Sequence, residues 1–363
     1  MLRGNKGEWS EFYTFLKLLS EGKIYAADKD LNKNKNIFYL ILKIIRNENG
    51  NLEYLRNEKI VIQKNTGETL SEIPLTKIIE FTKLLFDGIT NVETGQRAFS
   101  LDFMSPILKE LYTTKLSDDR VETSDIRIVI HDPILQTQQL QGFSIKSYIG
   151  GKPTLFNASK NTNLIYRISP ELSKEQVNEI NSLETYSKRI SYLKENGYKF
   201  DFVKMQSNIF KTNLEMIDSK LPEILSHWLL YRYLSGTNTL IKLTDYLTSS
   251  NPCNFNIELN PNYYLRKIKD MLVDMSLGMQ AGKIWNGTFN VTGGYIAVKK
   301  DGELLCYHIY NKNEFQEYLL THTKIDFPDS SPNRCDFGKI LSPEEVQEIK
   351  GNYIKLNFQI RFK

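Results

Sequence analysis

Asp125 and Lys146 have the types and spacing suited to hydrolysing a phosphate ester. Asp125 opens the alternating run DIRIVIHDP, with Ile126, Ile128 and Ile130 on one side and Arg127 and Val129 on the other. Lys146 follows in GFSIKSYIG, a second strand signal bounded by Gly142 and Gly150. If the two runs pair as antiparallel neighbours, both side chains converge at one end of the sheet. Breaking a phosphodiester calls for a metal to polarise the phosphate, carboxylates to hold it, and a cation beside the developing charge. One carboxylate and one ammonium suit Mg2+, which takes few protein oxygens and keeps waters. The plain alternative for Asp125 is an ordinary strand-start acid. Lys146 is harder to explain that way, because an ammonium in an apolar strand is costly unless its charge is used or reaches water. Ser144 and Ser147 beside it can equally be strand hydroxyls bonding locally.

Two polar clusters could contact a polyanion. Asn157, Ser159, Lys160, Thr162 and Asn163 follow the second strand, either as a capped loop or as short hydrogen-bonding contacts to phosphate or bases. Ser330, Ser331, Asn333, Arg334 and Asp336 precede the last strand signal. There Arg334 could read guanine O6/N7 and Asp336 could accept from cytosine N4, while a surface loop is the equal competitor. Gln136, Gln138, Gln139 and Gln141 read first as a solvated hairpin connection, with contact to a nucleic acid, Gln141 included, as the alternative.

The elements that would carry these groups are visible as patterns. Residues 7–20 place Trp9, Phe12, Leu16 and Leu19 at helical spacing, with Glu8 and Glu11 together on a neighbouring face. Residues 22–66 read as short strands, followed by helices near 75–88 and 104–114. Residues 175–198 and 206–234 read as helices, Asn251 to Pro261 as a turn-rich boundary, and about 262–277 as a further helix. Strands are expected at 293–299 and 303–310, then a helix at 312–321. The closing run YIKLNFQIRF is expected to be a single strand, central or nearly so. The reading is a mixed α/β (α+β) protein of three parts. Residues 1–103 form an N-terminal helical and β segment, 104–250 the core bearing Asp125 and Lys146, and 251–363 a β-rich C-terminal part.

Composition narrows the partners. The net charge is only +4 and the pI about 8.6, so any phosphate-binding face must be a local concentration of Lys and Arg. Three scattered cysteines without a CxxC pair and four scattered histidines argue against a zinc site and a disulfide framework, and suit a reducing cytoplasm. No run is long and apolar enough to suggest a membrane span. No glycine-rich nucleotide loop, nucleophile triad or cofactor-lysine motif stands out.

The hairpin with Asp125 and Lys146 resembles the outline of the PD-(D/E)XK nuclease superfamily, in which an acid and a lysine follow on the partner strand. It departs at one place, where Ser144 occupies the acid position of Ser144-Ile145-Lys146. Longer strings are more specific. GFSIKSYIGGKPTLFNASKNTN, the opening GNKGEWSEFYTFLKLL, and the closing DGELLCYHIYNKNEFQEYLL with KLNFQIRF resemble the HpaII restriction endonuclease family along essentially the whole chain. Within that family pattern the serine is itself expected. The resemblance implies a central mixed sheet flanked by helices, with further N- and C-terminal parts contacting DNA. It implies Mg2+-dependent cleavage of double-stranded DNA, expected at CCGG, by a homodimer matched to the palindrome, within a restriction-modification system that includes a cognate methyltransferase. Metal ligation would rest on Asp125, the Ile145 carbonyl and an acid of the first helix, Glu8 or Glu11, with Glu122 and Gln141 as weaker candidates. Lys146 would stabilise the pentavalent phosphate or orient the water. One rival is a non-catalytic nucleic-acid-binding protein with a degenerate nuclease core, and another is a nuclease with a different target.

Overall fold

The computed structural model describes residues 2–48, 50–93, 97–118, 124–289 and 291–363. The chain begins with α1 (Lys6–Glu21), β1 (Lys23–Ala27), β2 (Lys33–Arg46), β3 (Leu52–Arg56), β4 (Lys59–Lys64) and β5 (Thr69–Pro74). Next come α2 (Leu75–Asn91), α3 (Ser105–Glu110), β6 (Ile126–Asp132), β7 (Thr137–Ser147), β8 (Thr154–Phe156) and β9 (Asn163–Ser169). The middle holds α4 (Lys174–Ser182), α5 (Tyr186–Glu195), β10 (Lys199–Met205), α6 (Asn208–Ile217), α7 (Leu221–Ser235), α8 (Leu240–Ser250) and α9 (Tyr263–Leu277). The end holds β11 (Gly294–Val298), β12 (Leu304–His308), α10 (Lys312–His322), β13 (Thr323–Ile325), β14 (Ile340–Leu341), β15 (Asn352–Asn357) and β16 (Ile360–Phe362). This is a mixed α+β fold with three sheets among the described residues.

It divides into two compact units, Met1–Pro153 with Phe289–Tyr318, and Thr154–Thr288 with Leu319–Lys363. Strand pairing accounts for the division: β11 and β12, late in the sequence, join the sheet of the first unit, β11 running parallel to β7 and β12 parallel to β1.

In the first unit the strand order is β1-β12-β11-β7-β6-β2-β3-β4-β5, and β1 also pairs with β2. Strands β1, β12, β11, β7, β6 and β2 therefore close into a six-stranded ring, and β3 to β5 extend from it. A single strand joins the two parts: the front of the fourteen-residue β2 pairs with β1, while its rear pairs with both β6 and β3. Strand alternation sends Ile126, Ile128, Ile130, Phe143, Ile145, Ile296 and Val298 into one buried cluster. Trp9, Phe12, Leu16 and Leu19 of α1 join that cluster. Asn5 starts α1 with a capping box, and Gly22 ends it at φ 68°, a left-handed turn that favours glycine.

On the opposite face of the sheet, Tyr295 and Tyr307 are covered by Phe315 and Tyr318 of α10, with ring centroids 3.9–6.1 Å apart. Near the approach to Asp125, the buried pair Arg46 and Glu48 holds the 114–116 segment. Arg46 Nη2 donates to the Lys115 carbonyl at 2.8 Å, and Glu48 Oε2 accepts from the Thr114 amide at 2.6 Å. With both charges hydrogen-bonded, burying them is tolerated, and removing either would strand the other.

In the second unit, β10-β9-β15-β14 form one antiparallel sheet and β13-β16-β8 another. The closing run expected as one strand is divided between them. At its midpoint Phe358 is fully buried against Phe156, Phe210 and Trp228, which turns the chain from one sheet into the other. Its first half does take an interior position, between β9 and β14. The expected helices at 175–198 and 206–234 each break in two, the first at the Thr185 cap and the second ahead of Pro222. The glutamine run is not a loop from Gln138 onward: β7 begins at Thr137, and Gln138–Gln141 pair with β6.

Candidate active site

The expected pairing of β6 with β7 is antiparallel, with Ile126 opposite Phe143. Asp125 lies just before β6, and its amide donates to the Phe143 carbonyl at 2.9 Å. Its carboxylate is held from the partner strand: Oδ2 accepts from Ser144 Oγ at 2.9 Å and from the Ile145 amide at 2.8 Å. Two donors on one oxygen, one of them backbone, fix the rotamer of the acid. Ser144 is buried and shares its face of β7 with Lys146, which is half-buried. Lys146 Nζ lies 5.2 Å from the centroid of the Tyr295 ring, on the neighbouring parallel strand. A cation over an aromatic face is favoured and kept from wandering. Tyr148, next along that face, meets Tyr318 hydroxyl to hydroxyl at 2.6 Å, and burial pushes its phenol up to about 12, so it stays neutral at ordinary pH.

The two helix acids are not equivalent. Glu8 is the closing residue of the capping box, with Oε2 accepting from the Asn5 amide at 2.8 Å. Glu11 has its Oε2 shielded from solvent. The neighbour of Glu11, Ser10, meets Ser147 Oγ at 2.9 Å, which ties α1 to the strand carrying Lys146 one residue from each group. Gln141 is buried on the other face of β7, its amide donating to Gln139 Oε1 at 3.0 Å. Glu122 lies outside the described residues. Among the described residues there is no group of three or more His, Cys, Asp or Glu side chains placed to hold a metal. Oxygen donors on the strand pair are the Asp125 carboxylate and the Ile145 carbonyl, and α1, tied to β7 through Ser10 and Ser147, bears Glu11. That sparse, hard-oxygen set fits Mg2+, which is held by one or two carboxylates plus waters and substrate phosphates.

The expected DNA-contacting residues of the second unit separate into two kinds. Asn157, Lys160, Asn333 and Arg334 are exposed, and Ser159, Ser331 and Asp336 half-buried. Thr162 and Asn163 are fully buried. Asn163 Nδ2 donates to the Cys335 carbonyl at 2.7 Å and to Gln206, and Asn357 Nδ2 donates to Asn163 Oδ1 at 2.7 Å. These amides stitch the 157–163 and 331–336 loops together, a structural use the polar spacing did not reveal. Asp336 is paired to Lys355 at 2.8 Å.

Sequence reasoning missed Tyr295. Nothing in GGYIAV signals it, because its nearness to Lys146 comes from a parallel pairing across about 150 residues of chain.

A carboxylate, a hydroxyl and an ammonium gathered at one end of a strand pair, in a mixed α+β fold, make a set suited to a phosphate diester. Residues 5–362 match the HpaII restriction endonuclease family. The type II restriction enzyme HpaII of Haemophilus parainfluenzae is 42% identical over 362 residues, covering 99% of this chain and 98% of that protein. The chain belongs to the HpaII restriction endonuclease family and is a type II restriction endonuclease, acting on DNA in a sequence-specific manner. No solved structure matches it.

Proposed function

We propose that this enzyme hydrolyses both strands of DNA at CCGG with Mg2+, through a site built on Asp125, Lys146, Ser144 and Glu11. The observation that carries the reading is the carboxylate of Asp125, fixed by Ser144 and Ile145 on the same strand that presents Lys146. When bound, Mg2+ polarises the phosphate and lowers the pKa of a water. Asp125, the Ile145 carbonyl and Glu11 would hold it, and Glu11 is preferred because Glu8 already closes the helix cap. Lys146 places its charge where negative charge accumulates on phosphorus. Ser144 takes the position of an acid but works as a donor, orienting Asp125 rather than binding metal. The core is read as a PD-(D/E)XK variant within the six-stranded ring. Exposed Arg334 and Asn333 are the base-reading candidates of the second unit, while Asn157 and Lys160 suit phosphate contacts. A palindromic target favours a homodimer, and the enzyme would work beside a cognate methyltransferase in the cytoplasm. Among the described residues no helix is long and apolar enough to cross a membrane.

The test is digestion of a sequenced plasmid with Mg2+, wild type beside Lys146→Ala. Fragments ending at CCGG, absent in the variant, would bear out reaction, target and lysine together. Fragments mapping elsewhere would remove the target alone. Binding without cleavage by the wild type would favour a degenerate nuclease core.

A further inference from the structure

We propose that Arg127 binds the DNA phosphate adjoining the one that is cut, on the open face of β6 and β7. The inference rests on the nuclease reading and extends it to a residue outside the site described above.

Arg127 is two residues beyond Asp125 on β6, so both side chains leave the same face of the strand, about 7 Å apart along it. The register places Gly142 opposite Arg127, in line on β7 with Ser144 and Lys146. Gly142 is half-buried and carries no side chain, so the sheet surface beside the guanidinium lies flat. The same face is closed over β11 and β12 by α10, yet open over this hairpin, where Leu140 is 53% exposed. This open strip continues along the strand pair from the end that carries Asp125 and Ser144.

The guanidinium is held in place but not consumed. Its Nη2 sits 3.8 Å from Asp118 Oδ2, an ion pair beyond hydrogen-bond reach. That nitrogen is shielded from solvent and has no hydrogen-bond acceptor among the described residues. Buried donors ordinarily have acceptors, and exceptions call for an explanation. Neighbouring cations show the contrast. Arg46 spends its donors on Glu48 and the Lys115 carbonyl, and Lys43 is bonded to Glu53 at 2.6 Å. Asp118 is itself fixed by the Asn47 amide at 2.5 Å, so it aims Arg127 by charge from one side. With Nη2 turned inward toward Asp118 and the side chain 22% exposed, the outward edge of the guanidinium is the part that meets a second phosphate.

The experiment measures binding to a duplex spanning a mapped cleavage site, with Ca2+ in place of Mg2+, across a salt series. Arg127→Ala should weaken binding at low salt by about 10- to 100-fold and lower the slope of log affinity against log salt by about one. Arg127→Lys should keep the slope but not the full affinity, because a point charge replaces the fork. Arg127→Gln keeps the bulk of the side chain should the alanine variant fold poorly. Lys146→Ala should lose cleavage while still binding the duplex. Wild-type affinity and slope in Arg127→Ala or Arg127→Gln would overturn the inference and leave the nuclease reading standing. A wild-type enzyme that cuts no DNA would overturn both.

Discussion

Ser144→Ala asks whether the serine in the acid position has a positioning role. Asp125 Oδ2 accepts two hydrogen bonds, from Ser144 Oγ at 2.9 Å and the Ile145 amide at 2.8 Å. Hydrogen bonds to charged groups contribute about 1.5–3 kcal/mol each. The backbone donor survives the substitution, so the carboxylate loses one of two restraints, and a cost at the lower end, about 1.5 kcal/mol, is expected. If that cost falls on the transition state, cleavage slows roughly tenfold. The assay is single-turnover cleavage of a short duplex at saturating enzyme, which isolates the chemical step from binding. Ser144→Thr, which retains the hydroxyl, should restore most of the rate. DNA affinity should be unchanged in both variants. Two results would refute the reasoning. Cleavage by Ser144→Ala at the wild-type rate would mean the hydroxyl does not hold Asp125. A loss as deep as that of Asp125→Ala would mean that Ser144 takes part directly.

Three further expectations follow from the geometry. Glu8→Gln should cut DNA nearly as well as wild type, because glutamine also closes a capping box, whereas Glu11→Gln should lose more than about tenfold at fixed Mg2+; equal losses would unseat Glu11. Asn163→Ala leaves the Cys335 carbonyl and the Asn357 amide without their buried partner, and should lower stability by about 2–3 kcal/mol in urea melts. The folded variant should bind DNA as wild type does, and a binding defect without a stability loss would restore Asn163 as a contact. His308 is fully buried, and desolvation holds its pKa down at about 4, against 6.5 for an exposed histidine. The unfolded chain therefore takes up the proton first: the neutral ring contributes its full stability above pH 6.5 and loses about 3 kcal/mol of it as pH falls toward 4. His308→Asn should flatten the denaturant-stability curve over that window, and an unchanged slope would contradict the assignment.

Much of the first unit was legible because its signals are local. The alternation of Ile126, Ile128 and Ile130, the turn after Asp132, and the strand signal around Lys146 predict the hairpin that joins Asp125 to Ser144 and Lys146. The apolar spacing from Trp9 to Leu19 predicts α1, which runs over residues 6–21. Period and capping are properties of neighbouring residues, so a single sequence carries them. Short segments with weaker periodicity, such as β8, β9 and β10, and the helix α8, were not singled out.

What the tertiary structure alone decided depends on pairings distant in sequence. The parallel seating of β11 on β7 brings Tyr295 under Lys146, and the double pairing of β1 closes the ring. The capping bond of Glu8 and the buried amides of Asn163 and Asn357 separate groups that share a residue type yet differ in use. A carboxylate's role is set by which donors reach it and how much water remains, and neither is written in the residue's own letter. The sequence by itself determined the chemistry on offer, Asp125, Ser144 and Lys146 on two adjacent strands, together with the family. Only the folded chain decided which polar groups are already satisfied by the protein and which, like Nη2 of Arg127, have no hydrogen-bond acceptor among the described residues, because burial and hydrogen bonding are set by residues far away in the chain.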